Sequence, residues 1–340
     1  MKKYRFQLMA GILAACMAMG NAQAAKFVQP PIQDLFKERN QVTVLEFQSL
    51  DTKAKKATFK KVSDLWGELE EEEITLRVPK RWFERFEKGE QYIVGHSAFR
   101  KHPLLRDEIQ RNPNGPSVIH PFVVDDAIFE DSKSLRYLIA ELQKDDDYDA
   151  EKVLTKNLDL LKDSKDNTRL LAAFQFQMSK PFFEDGLNKK HLKQLKSSIN
   201  KGKLTPEEEE FLIRATNDFP EAMYQSWVTD RCRQHIDDTP TPYDLQSFIP
   251  LLVKTCAAVV GKHGDQSDVK RLSSLLITNH PGVSKGALRA LETQAKDETP
   301  QLVATLLKEN PNLNNETHGI LKTYLYEYAL KKEEGQKYKY

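Results

Sequence analysis

Ile74-Thr75-Leu76-Arg77-Val78 alternates strictly between apolar and polar side chains. A period of two puts every second side chain on one face of an extended chain, which is the mark of a half-buried strand. On the N-terminal side, Ala57-Thr58-Phe59-Lys60-Lys61-Val62 and Val42-Thr43-Val44-Leu45-Glu46-Phe47 carry the same character, and on the C-terminal side Tyr92-Ile93-Val94-Gly95 does. A fifth candidate, Ser117 to Val124, contains Pro121, whose missing N–H suits an edge or a bulge. Arg81 to Phe86 reads as a short helical turn between the third and fourth strands. Five short strands in roughly 85 residues predict a small antiparallel β-barrel, OB-like, over residues 25–130.

From Ser134 onward the apolar residues recur at helical spacing, so residues 131–330 read as all-α. Val153, Leu154, Leu158, Leu160 and Leu161 share one face, as do Leu170, Leu171, Phe174 and Met178. Thr205-Pro206-Glu207-Glu208 is a helix start: a hydroxyl cap, a proline in the first turn, and acids facing the positive dipole end. Thr241-Pro242 and Thr299-Pro300 repeat the device. Leu275-Leu276, Asn279-His280-Pro281 and Ala287 to Leu291 are echoed 31 positions later by Leu306-Leu307, with Asn310-Pro311 and Ile320 to Leu325 following. This echo resembles HEAT-type repeats, which implies helix pairs stacked into a superhelix because no single pair buries its apolar face alone. The charged residues 331–340 lack periodicity and are expected to be a disordered tail. The fold class is therefore α+β in two domains.

The stretch Val78 to Gly95 also resembles the netrin-module and tissue metalloproteinase-inhibitor family. Phe83 and Phe86 form an aromatic turn before Gly89-Glu90-Gln91-Tyr92, and Leu65-Trp66-Gly67 is similar to that family's upstream Trp-Lys-Gly turn. The resemblance covers about a quarter of the chain and implies an OB-type barrel that binds oligomers. The family's inhibitory N-terminal cysteine and its disulfides are absent, so no inhibitor residues carry over.

Residues 1–24 read as a cleavable secretory signal. Lys2, Lys3 and Arg5 precede an apolar run from Phe6 to Gly20, and Ala22 and Ala24 supply the small residues expected before cleavage between Ala24 and Ala25. The run is short of the ~20 residues that span a bilayer. Leu13-Ala14-Ala15-Cys16 also fits a lipobox, which would make Cys16 a lipid anchor. Met17, Ala18 and Met19 continue the apolar run past that cysteine and favour the later site. The expected location is periplasmic or secreted.

The signal takes three of the 51 basic residues and none of the 50 acidic ones, leaving the exported chain close to neutral. That balance offers no electrostatic footprint for nucleic acid or an anionic membrane. Two cysteines remain, Cys232 and Cys256, and an oxidising compartment makes a disulfide between them a candidate, with two buried thiols as the alternative.

Several strings that mimic catalytic motifs fail on context. Gly282-Val283-Ser284-Lys285-Gly286 matches the nucleophile elbow, but the preceding residues are helical rather than a strand, and Ser284 reads as a helix cap. Asp145-Asp146-Asp147-Tyr148-Asp149 has the alternate acids of a calcium loop, but Ala150 and Lys156 stand where Gly and Glu are required. His96, His102 and His120 could furnish a zinc site only by converging in space. Glu68 to Glu73 reads as a solvated hairpin loop, and Trp66, Trp82, Phe83 and Phe86 as mostly barrel core. No catalytic, metal or cofactor residues are assigned. The expectation is an exported, non-enzymatic binding or scaffold protein with a protein or peptide partner. The rival readings are a hydrolase or metal-dependent enzyme with a site between the domains, and a lipid-tethered envelope factor.

Overall fold

The computed structural model describes residues 30–36, 40–97, 117–119, 126–144, 149–184, 186–201, 203–239, 243 and 247–337. The chain is α+β and falls into two compact units, Met1–Lys203 and Leu204–Tyr340. The signal segment, Cys16, Ala24 and Ala25 lie outside the described residues.

Six strands form the sheet of the first unit: β1 (Gln41–Asp51), β2 (Lys56–Trp66), β3 (Glu73–Arg77), β4 (Gln91–Ser97), β5 (Ser117–Ile119) and β6 (Ile128–Glu130). The order β1-β2-β3-β5-β4 returns to β1, so five strands close a ring, and β6 lies along β4. Closure needs a strand that turns the corner. β1 does so, pairing with β2 along its length and with β4 from Gln41 to Glu46, and three register shifts against β2 supply the curvature. One pair, β3 with β5, is parallel, where the alternation had suggested an all-antiparallel barrel. Parallel neighbours are joined through distant chain, and local periodicity carries no trace of them.

The alternation sorts side chains as expected. Ile74 and Leu76 point inward and are buried, whereas Thr75 and Arg77 are exposed. A turn from Lys80 to Phe86 drops Trp82 and Phe86 into the ring. Phe86 stacks on Phe47 with centroids 4.9 Å apart and meets Phe59 and Tyr92 edge-on. The Tyr92 hydroxyl ties the turn down, donating to the Arg85 carbonyl at 3.1 Å and accepting from the Glu87 N–H at 3.0 Å. Gly89, at φ +84°, then admits the chain into β4.

Among the described residues, five α-helices belong to this unit: α1 (Lys133–Leu142), α2 (Ala150–Leu160), α3 (Asp166–Met178), α4 (Lys180–Glu184) and α5 (Lys189–Asn200). The unit border therefore lies at Lys203, not at residue 130 where alternation stops. The reason is α3, whose residues Leu171 to Phe176 are all buried. Its Asn167 reaches the Ile128 carbonyl at 3.5 Å, and its Gln175 accepts from the Ile32 N–H at 3.2 Å. Met178, expected on the inward face, is 47% exposed at the helix end.

The second unit holds α6 (Pro206–Asn217), α7 (Trp227–Asp238), α8 (Ile249–His263), α9 (Asp268–Leu275), α10 (Pro281–Gln294), α11 (Thr299–Glu309) and α12 (Asn315–Lys337). Thr205 caps α6 in a capping box with Glu208, as the sequence predicts. Thr299 instead lies just inside α11, its hydroxyl donating to the Ala295 carbonyl at 2.7 Å. The pairs α7/α8, α9/α10 and α11/α12 stack in turn, with α6, α8, α10 and α12 forming one layer and α7, α9 and α11 the other. The second unit is thus helical and repeat-like, and the Leu-Leu echo falls on corresponding parts of α9 and α11. Burial of α8 on nearly all sides, through Leu252, Val253, Cys256, Ala257, Val259 and Val260, anchors the stack. Each such aliphatic side chain contributes about 1.5–3 kcal/mol on burial.

Ion pairs bind α7 to α9. Arg233 holds Asp268 at 2.7 Å and Asp265 at 3.0 Å, and Arg271 holds Asp237 at 2.7 Å and also reaches Asp268. Residues 331–337, expected to be disordered, continue α12 as helix, which their Lys, Glu and Gln content favours. Cys232 on α7 and Cys256 on α8 are both buried free thiols and are not joined. They are close enough to share a hydrogen bond, and burial pushes the Cys256 thiol well up from its ordinary range.

Candidate functional site

The stack exposes an open groove between α10 and α12. His280 caps α10, its Nδ1 accepting from the Val283 N–H at 3.2 Å, and Pro281 occupies the first turn. This cap fixes the rotation of α10. Val283, Ala287, Ala290 and Leu291 turn into the core, and Lys285, Arg289 and Glu292 turn out. Asn314 caps the next helix by accepting from the Thr317 N–H at 2.8 Å, and its own N–H donates to the Asn279 side-chain oxygen at 2.9 Å. The Asn314 amide also donates to the Asn279 carbonyl. The residue before the cap of α10 is thus bonded to the cap of α12, which sets the two helices in register.

The groove holds about 940 Å³. Leu288, Ile320 and Tyr324 form its apolar floor, and Lys285, Arg289, Glu292, Lys296 and Glu327 stand on its walls. Burial, with Glu292 nearby, pushes the Tyr324 phenol up to about 12, so it stays protonated and able to donate. On α10, a Cβ on Gly286 would stand 2.8 Å from Lys254 Cγ of α8, so the stem of that lysine lies against the helix outside the groove lining. A mostly apolar floor with a few placed charges is the usual make-up of a recognition groove.

No protein-family model matches the chain, no curated protein matches it, and no solved structure matches it.

The motif candidates settle one by one. Ser284 is not a nucleophile elbow and not a cap. It is fully buried inside α10, and its hydroxyl donates to the Leu276 carbonyl at 3.1 Å. His280 takes the capping role instead because the helix begins at Pro281. Asp149 caps α2 through its carboxylate, which holds its pKa below the ordinary range, and residues 145–148 lie outside the described residues. His96 is buried in β4 with its Nε2 3.2 Å from Thr43 Oγ1, whereas His102 and His120 lie outside the described residues. Among the described residues no three metal-ligating side chains converge. The loop from Glu68 to Glu72 is exposed except for Leu69, and Lys61 braces it through Asp64 at 2.7 Å. Trp82 and Phe86 are core, and Trp66 is half-buried against Phe36, with centroids 5.8 Å apart.

One buried charged cluster was not anticipated. Glu209 lies between Arg231 at 2.7 Å and His235 at 2.8 Å, beside the two thiols. Burial alone would raise its pKa, but the hydrogen bonds from His235 and Arg231 outweigh that and hold it below the ordinary range. With Glu209 5% exposed and both thiols inaccessible, the cluster ties α6 to α7 and presents no reactive group to solvent. The groove residues Lys285, Arg289 and Tyr324 were also missed. The one trace of them in the sequence is a like-charged pair four residues apart on a helix.

Proposed function

We propose that this chain is an exported bacterial binding or scaffold protein that works without catalysis, through protein or peptide contact in the cell envelope. The observation that carries this reading is the α10–α12 groove, an open trough with an apolar floor and charged walls on a stack of helix pairs. Stacked helix pairs present extended surfaces suited to elongated partners. The secretory reading of residues 1–24 supplies the compartment.

Proximity crosslinking in the native envelope, with photoreactive residues placed at Thr323 in the groove, tests the reading. The expected result is one partner recovered reproducibly, and its absence across repeated trials would overturn the proposal. Mass spectrometry of the exported chain decides between a free protein beginning at Ala25 and a lipid-tethered one beginning at an acylated Cys16.

A further inference from the structure

We infer that the groove between α10 and α12 docks an acidic amphipathic segment of a partner protein, with carboxylates held by Arg289 and Lys285 and an apolar face laid over Leu288 and Tyr324. This rests on the binding reading above and specifies the chemistry of the partner.

Charge is the first support. Of the five arginines in the second unit, Arg214, Arg231, Arg233 and Arg271 each hold a carboxylate. Arg289 is exposed and has no acid partner among the described residues, although the fold pairs its other arginines. Lys285 precedes it by four residues on the same helix face. Like charges at this spacing repel, so the pair carries a cost that an incoming anion removes. A guanidinium is also the cation that grips a carboxylate through two parallel hydrogen bonds.

Shape is the second. Leu288 and Tyr324 are less than a tenth exposed, yet they line an open trough, so they offer an apolar seat at its bottom. The 14 residues of α10 give the trough a length of about 21 Å at 1.5 Å per residue. That accommodates the i, i+4, i+7 anchors of a short amphipathic helix. Glu292 and Glu327, further along the same walls, repel a uniformly anionic surface such as a lipid bilayer. They confine the partner's acids to the end of the groove near Lys285.

The test uses the full exported chain and two synthetic amphipathic peptides of roughly four helical turns, both with leucine on one face and one with glutamate, the other with lysine, on the flanks. Fluorescence anisotropy is expected to show binding of the glutamate peptide alone, weakening as salt rises. The Lys285→Glu/Arg289→Glu variant is expected to bind about tenfold more weakly or worse, and Arg289→Lys to fall between it and the wild type, since lysine keeps the charge without the paired hydrogen bonds. Both positions are exposed, and unchanged circular dichroism of the variants is the control for folding. Equal binding of the two peptides, or no loss in the double variant, overturns the proposal. So does loss in the double variant only of phosphatidylglycerol-vesicle flotation or of self-association in sedimentation. A partner crosslinked from the envelope equally by the wild type and the double variant would overturn the groove assignment and leave the scaffold reading standing. Glutamate-peptide binding with no partner in the envelope would do the reverse.

Discussion

Gly261 of α8 lies against Ala290 of α10 so closely that a Cβ on the glycine would stand 2.5 Å from the alanine Cβ and 2.6 Å from its Cα. The two helices meet almost backbone to backbone at this point. The neighbouring atoms belong to helix backbone and have nowhere to yield, so Gly261→Ala is expected to destabilise the second unit by about 1–3 kcal/mol despite alanine's better helix propensity. Gly319 of α12 is the internal comparison, since nothing lies within 4 Å of the Cβ it lacks. Gly319→Ala is expected to stabilise by about 0.5–1 kcal/mol. Urea denaturation of the two variants reads the opposite signs, and a stabilised Gly261→Ala would show that the helices do not touch there.

Asp268 is fully buried and receives Arg233 and Arg271 while its carboxylate accepts from the Asp265 N–H at 3.0 Å. Replacing it with Asn removes the buried anion that the two arginines share, although Arg233 keeps Asp230 and Asp265 and Arg271 keeps Asp237. With both guanidiniums about a quarter exposed, water softens the penalty, and the expected loss is about 2 kcal/mol rather than the 3–5 kcal/mol of a fully buried pair. The melting temperature of Asp268→Asn checks this.

Stability is expected to fall in two stages on acidification. His191 and His263 have pKa values lowered from 6.5 by burial, so the unfolded chain takes up protons first as pH drops. Their contribution is whole above about 6.5 and shrinks below it. Glu209 and Asp268 are buried, but their hydrogen-bonded cations outweigh burial and lower both. Their contribution is present above the ordinary carboxylate range of about 4 and is lost as pH falls through the native values. Denaturation midpoints measured from pH 8 to pH 3 should show both declines. A flat profile between pH 7 and pH 5 would remove the histidine part.

Cys232 and Cys256 are expected to react with no thiol reagent in the native state and to yield two free thiols once the chain is unfolded, because both are wholly buried. Reductant should leave the melting temperature unchanged. A chain lighter by the mass of two hydrogens, with no thiols after unfolding, would show that the pair is bridged.

Tyr92→Phe is expected to cost about 1–2 kcal/mol, since it removes both hydrogen bonds that fix the Arg85–Glu87 turn while leaving the ring packing on Phe86 intact. Chemical denaturation followed by tryptophan fluorescence reports it, because Trp82 lies 6.5 Å from Tyr92.

What the sequence made legible was local. Ile74, Leu76, Thr75 and Arg77 sort to the faces their alternation predicts, and the Leu275 and Leu306 echo marks real helix pairs. What it hid was non-local. The closure of the ring through Leu76 and Ser117 joins strands 40 residues apart in the chain, and no periodicity reports such a partner. The unit border was hidden because α3 is buried by both sheet and helices, and its sequence looks like any core helix. Ser284 carried a motif without its geometry. Arg289 carried geometry without a motif, since the lack of a partner is visible only once the other arginines are seen to have theirs.

The hydrogen bonds from Asn314 to Asn279 have a mechanical consequence. Among the described residues of the final pair, Val303, Leu321 and Tyr324 are buried in the hydrophobic core, while Leu302, Leu306, Leu307, Ile320 and Leu325 pack half-buried against its edge, so α11 and α12 are the thinly covered end of the stack and these bonds add a polar hold to their packing. Amide exchange should accordingly be slowest in α8, which is covered on nearly all sides, and quicken toward α12.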